Sequence, residues 1–140
     1  MVVNLLKFIM GEKGQGKTKA LIDSVHQAIE SEKGAIVFIN SGNRHITDVD
    51  YRVRLVDTSE YEIESLNDFY GMLCGILSQN FDVSYIFVDS LTKITKFEED
   101  ELVKFAEKAN ALCEKHNLQV LVTISMSTEG VSEDVKKYLA

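Results

Sequence analysis

The chain has no proline among its 140 residues, an absence unusual against average usage and without a physical reason in the sequence. It also lacks an excess of positive charge: 15 Lys and Arg stand against 22 Asp and Glu, for a formal net charge of −7. That balance argues against direct nucleic-acid binding and against an anionic-membrane surface, since both need clustered cations. No apolar run approaches the ~20 residues of a membrane span. The first residues, Met1-Val2-Val3-Asn4-Leu5, carry neither a basic segment nor a small-residue cleavage site, so they read as a first strand and not as a leader. Cysteine is scarce. Cys74 and Cys113 fall in apolar helical stretches at a spacing that matches no metal site, which suits reduced thiols and a cytoplasmic protein. His26, His45 and His116 form no cluster by spacing.

What is present is a chain with 45% hydrophobic residues, enough for the core of one domain over residues 1–140. Short apolar runs alternate with longer amphipathic ones, the pattern of strand–helix–strand units around a parallel sheet. The apolar runs predict strands over residues 3–10, 35–39, 85–89 and 120–124. Residues 51–56 alternate in period two, with Tyr51, Val53 and Leu55 on one side and Arg52 and Arg54 on the other, as at a sheet edge. Helical spacing predicts a helix over residues 17–32, stopped by Gly34, and a second one from near Ser65 with Ser65-x-x-Asp68 as its capping pair. A third, with Thr95-x-x-Glu98 as a capping box, runs to about His116, and a short one covers residues 132–139.

Residues 11–18 read Gly11-Glu12-Lys13-Gly14-Gln15-Gly16-Lys17-Thr18, a complete G-x-x-x-x-G-K-[ST] sequence between an apolar strand run and a helix run. Glycines let the backbone curl so that successive N–H groups point inward, and the following helix adds its positive dipole end. Gly11, Gly14, Gln15, Gly16, Lys17, Thr18 and Lys19 are therefore the candidate nucleotide-binding residues, with Lys17 reaching the β- and γ-phosphates and the Thr18 hydroxyl holding Mg²⁺. A metal-positioning carboxylate is supplied by Tyr85-Ile86-Phe87-Val88-Asp89, an apolar strand ending in an aspartate where the sheet's carboxyl edge meets a ligand crevice. Asp89 would contact Mg²⁺ through a water, opposite Thr18.

With these two segments as Walker A and Walker B, the chain resembles the P-loop NTPase superfamily, and within it the RecA-like ATPase branch. Val88-Asp89-Ser90-Leu91 is similar to the segment with which RecA-type proteins end the Walker B strand. The resemblance implies a three-layer α/β P-loop domain with a mostly parallel five-stranded sheet and helices on both faces. It implies that the strand over residues 120–124 inserts between the Walker A and Walker B strands and offers Ser125 to the γ-phosphate, with Thr123 the weaker candidate one pleat earlier. Lys17 and Ser125 are then the residues at the reacting phosphate. No N-K-x-D base-reading sequence of the superfamily's GTPases occurs, which leaves ATP by elimination.

The chain departs from that pattern where activity is decided. The resemblance implies a water-activating glutamate either directly after Asp89 or at the end of the strand that follows the first helix. The first position is Ser90, and the second falls in Ile39-Asn40-Ser41-Gly42-Asn43, which holds no carboxylate. Asn40 could orient a water but not accept its proton, and losing a general base slows a reaction by roughly two to four orders of magnitude. Glu98, Glu99 and Asp48 read as helix starts or solvated loop. The three arginines, Arg44, Arg52 and Arg54, lie in one short region, and only Arg44 falls in a loop at the carboxyl edge where it could act as a finger. The expectation is an Mg-dependent ATP-binding protein with weak or partner-dependent hydrolysis, completed by a homo-oligomer or a protein partner. The alternative is a non-hydrolysing nucleotide-dependent switch. A small-molecule kinase ranks below both, because no basic lid follows Thr95.

Overall fold

The most apolar runs of the sequence become the interior of a sheet. The computed structural model describes residues 4–32, 34–42 and 52–140; Val3, Arg44, His45, Asp48 and Tyr51, all named above, lie outside the described residues. Along the chain come β1 (Leu6–Gly11), α1 (Lys17–Ser31), β2 (Ala35–Asn40), β3 (Arg54–Asp57), a 3-10 turn (Thr58–Glu60), α2 (Leu66–Gln79), β4 (Val83–Val88), α3 (Leu91–Ile94), α4 (Glu99–His116), β5 (Gln119–Ser125) and α5 (Glu133–Lys136). The five strands form one sheet in the order β1-β5-β4-β2-β3. Every pairing in it is parallel, so the sheet is wholly rather than mostly parallel among the described residues. All carboxyl ends therefore share one edge, and β5 lies between β1 and β4.

Alternate residues of the central strands belong to two separate clusters. Ile36, Phe38, Phe87 and Leu121 pack with Leu21, Val25 and Ala28 of α1. Val37, Ile39, Ile86, Val88, Val120 and Val122 pack on the other face with Leu66, Phe69, Leu73 and Leu77 of α2 and with Leu102, Phe105, Ala106, Ala109 and Cys113 of α4. Helices thus lie against both faces, which is why β2, β4 and β5 read as unbroken apolar runs. β3 borders only β2. Its Arg54 and Leu55 are exposed, as an edge strand allows, while Val53 just before it is buried. The strand begins at Arg54, so Arg52 lies in the preceding turn and not on a shared strand face with Arg54.

Several helix boundaries differ from the sequence pattern for local reasons. α1 ends at Ser31 with an extended Glu32. Gly34 serves a different need, since a Cβ there would collide with the Asp82 carbonyl, which accepts the Ala35 N–H at 2.9 Å. Ser65 does cap α2, accepting the Asp68 N–H at 3.1 Å, while the Asp68 carboxylate takes the Glu64 N–H. The capping box of α4 is built by Glu98 with Glu101 and not by Thr95, whose backbone instead closes α3. The last helix is a single turn, because residues 138–140 turn back along the outer edge of β1. There the Phe8 N–H donates to the Tyr138 carbonyl at 2.8 Å and the Ala140 N–H donates to the Phe8 carbonyl at 2.9 Å.

One polar side chain interrupts the buried stripe of α4. Asn110 is 9% exposed, and its Oδ1 accepts the N–H groups of Leu5 and Leu6, each at 3.1 Å. It thereby ties α4 to the residues that lead into β1. Asn110→Ala strands both N–H groups and is expected to destabilise the fold by about 2–4 kcal/mol, read from urea unfolding with an unchanged m-value. A loss too small to move the midpoint would contradict this role. Burial also pushes the Cys113 thiol up to about 12. The unfolded chain releases that proton near the ordinary value of 9.0 while the folded chain keeps it, so this contribution to stability is complete below about pH 9 and is lost as pH rises toward 12. A thiol reagent at pH 8 is expected to reach half-buried Cys74 in the folded protein and Cys113 only after unfolding.

Candidate functional site

Strand β1 ends at Gly11, and the chain turns through residues 12–16 before α1 starts at Lys17. Gly14 and Gly16 adopt φ of 89° and 77°, conformations that other residues rarely take, so the turn depends on glycine at both places. The turn is also closed by its own side chains. The Glu12 N–H donates to Gln15 Oε1 at 2.9 Å, and Lys17 Nζ donates to the Glu12 carbonyl at 2.7 Å. Gly16 caps α1, and no acidic residue occupies the helix's first turn. The free N–H groups and positive dipole end of α1 are thus available to an anion.

A cavity of about 300 Å³ opens at this point, lined by Lys13, Gly14, Gly16, Lys17, Thr18, Lys19, Ser90, Lys93 and Ser125. The parallel register explains the assembly. Gly11 pairs with Ser125 at the ends of β1 and β5, Asp89 follows β4 on the far side of β5, and α1 leads away from the same edge. Asp89 is 1% exposed. Its Oδ1 accepts the Thr18 hydroxyl and the Thr123 hydroxyl, each at 3.1 Å. Thr123 Oγ1 in turn accepts the Ser90 N–H at 2.7 Å, and the Asp89 N–H donates to the Ile39 carbonyl at 2.9 Å. Ser90 sits at φ 61° and ψ 66°, a left-handed conformation that costs about 1–2 kcal/mol for a residue with a side chain and persists only when its surroundings impose it.

The structure therefore brings Gly14, Gly16, Lys17, Thr18, Lys19 and Ser125 to one cavity, with Asp89 against Thr18. Gly11 and Gln15 line a neighbouring hollow with Ser127, Thr128 and Glu129. Lys19 also pairs with Asp23 at 3.1 Å on the helix surface, an exposed contact worth little. A hydroxyl and a carboxylate oxygen in hydrogen-bond contact are hard oxygen donors of the kind Mg²⁺ takes with water completing its shell, so the pair fits that ion. No group of three or more His, Cys, Asp or Glu side chains suited to a metal occurs among the described residues.

Of the carboxylates weighed as bases, the two among the described residues, Glu98 and Glu99, are occupied elsewhere. Glu98 and Glu101 cap α4, and Glu99 Oε2 accepts the Ser132 N–H at 2.9 Å, anchoring the approach to α5. Asn40 is buried at the end of β2, beside the end of β4, and its carbonyl accepts the Thr58 hydroxyl at 3.1 Å. Asp57, at the same sheet edge, accepts the Ser59 hydroxyl and the N–H groups of Gly42 and Ser59. These bonds, the Ser59 hydroxyl first, hold its carboxyl below the usual range, which makes it a poor base.

Sequence reasoning missed two cavity lysines, Lys13 and Lys93. Thr123 reaches the Asp89 carboxylate while Ser125 lines the cavity. The signal for Lys93 was its position between Leu91 and Ile94, apolar neighbours that turn inward. No protein-family model matches the chain, and no curated protein matches it in sequence.

Thr123→Val keeps the shape of the side chain but strands the Ser90 N–H and removes one donor from Asp89. An expected loss of about 1–3 kcal/mol is readable by chemical unfolding, with Thr123→Ser retaining most of the stability. Equal stability of Thr123→Val and the unaltered chain would show that the network does not hold Asp89 and Ser90 in place.

Proposed function

We propose that the chain is a three-layer P-loop domain with a RecA-like core that binds MgATP in the cytoplasm. The contact between Thr18 Oγ1 and Asp89 Oδ1 at 3.1 Å carries this reading. It joins two segments 71 residues apart in sequence, and the cavity beside it holds the glycine turn, Lys17 and Ser125. The position of β5 between β1 and β4 supports the RecA-like assignment. In this reading the turn's N–H groups and Lys17 bind the phosphates, and Thr18 and Asp89 hold Mg²⁺. The metal supplies charge neutralisation at the β- and γ-phosphates.

Hydrolysis by the chain alone is slow or negligible in this reading, because Ser90 stands where a carboxylate would activate water and Glu98 and Glu99 are committed to caps and to Ser132. A second copy or a protein partner supplying a base would make it an ATPase; without one it acts as a nucleotide-dependent switch. In purified protein, Lys17→Ala is expected to weaken MgATP binding by about 10- to 100-fold, the loss of one or two charge-assisted hydrogen bonds. Phosphate release by the unaltered chain is expected to equal that of Lys17→Ala. Undiminished binding by Lys17→Ala would defeat the phosphate-site reading, and turnover well above the variant's would defeat the claim of no autonomous hydrolysis.

A further inference from the structure

Four lysines line the cavity. Three of them belong to the glycine turn and the start of α1, whereas Lys93 comes from α3, the single helical turn after Asp89 and Ser90. That turn is held in place by its neighbours. Leu91 and Ile94 are buried, the Thr95 N–H donates to the Leu91 carbonyl at 3.1 Å, the Lys93 N–H donates to the Ser90 carbonyl at 2.9 Å, and the Ser90 N–H is held by Thr123. With the apolar side chains turned into the core, Lys93 is left exposed on the outer side, where it lines the cavity with Ser90 and Ser125. The left-handed Ser90 redirects the chain so that α3 starts at the cavity rim instead of continuing along the line of β4.

A triphosphate seated on the glycine turn has its inner phosphates enclosed by the turn's N–H groups. Its terminal phosphate then faces the side of the cavity lined by Ser125, at the end of β5, and by Lys93 of α3. We infer that Lys93 is a cation for the terminal phosphate of ATP, supplied by the chain itself, and that it gives the site a preference for ATP over ADP; this rests on the MgATP reading above. The two arginines among the described residues do not serve this role, since Arg54 is on β3 at the far edge of the sheet and Arg52 lies just before it. An ammonium on a flexible stem suits a phosphate as a point charge.

The test compares Mg²⁺-dependent ATP and ADP affinities of the full chain with those of Lys93→Gln, Lys93→Arg and Lys17→Ala. Lys93→Gln is expected to weaken ATP binding by about tenfold, the size of one charge-assisted hydrogen bond, and to leave ADP binding unchanged. Lys93→Arg is expected to keep the preference, and the unchanged ADP affinity of Lys93→Gln shows that the variant is folded. If Lys93→Gln binds ATP as tightly as before, or loses ATP and ADP equally, while Lys17→Ala loses both, the role of Lys93 is overturned and the phosphate site stands. Binding of neither nucleotide by the unaltered chain overturns both.

Discussion

One carboxylate oxygen, Asp89 Oδ1, joins three elements: the start of α1 through Thr18, β5 through Thr123, and β4 from which Asp89 itself emerges. Burying a carboxylate in an apolar sheet is unfavourable unless hydrogen bonds offset the lost hydration. The hydroxyls of Thr18, Thr123 and, at 3.4 Å, Ser90 do that on one oxygen here, and the Thr18 contact also sets the distance between the glycine turn and the end of β4. The strained backbone of Ser90 follows from the same network, because Thr123 both donates to Asp89 and holds the Ser90 N–H. Change the register of β5 by one residue and this contact is gone, since Thr123 would face the opposite side of the sheet.

The electrostatics of the molecule are local and opposed to its overall charge. The chain carries a net −7, yet four lysines converge on one cavity whose floor is a helix start without acidic residues. A cluster of cations confined to one cavity suits a polyanion of limited size. This contrast between a basic cavity and an acidic surface is the physical basis of the MgATP proposal, beside the paired oxygens of Thr18 and Asp89.

Much of the fold was legible in the sequence because hydrophobic period and strand burial are directly coupled. Runs such as Ile36-Val37-Phe38-Ile39 have no polar face, and only a strand covered on both sides buries all of them. The boundaries were less legible where two signals compete. Thr95 and Glu98 both suit a helix cap, and the choice of Glu98 depends on α3 having already used the Thr95 backbone. Gly34 carries the sequence mark of a helix stop, but its necessity comes from the Asp82 carbonyl of another element.

By itself the sequence determined the strand and helix types, the glycine turn with its lysine and threonine, and the aspartate at the end of an apolar strand. These are local properties, set by periodicity and by residues adjacent in the chain. The place of β5 between β1 and β4, with Ser125 at its end, was expected from the family resemblance and not from any local pattern; only the tertiary structure decided that Thr123 holds Asp89 and that Lys93 joins Ser125 at the cavity. Those outcomes depend on strand order and register, which bring together side chains that no local pattern relates.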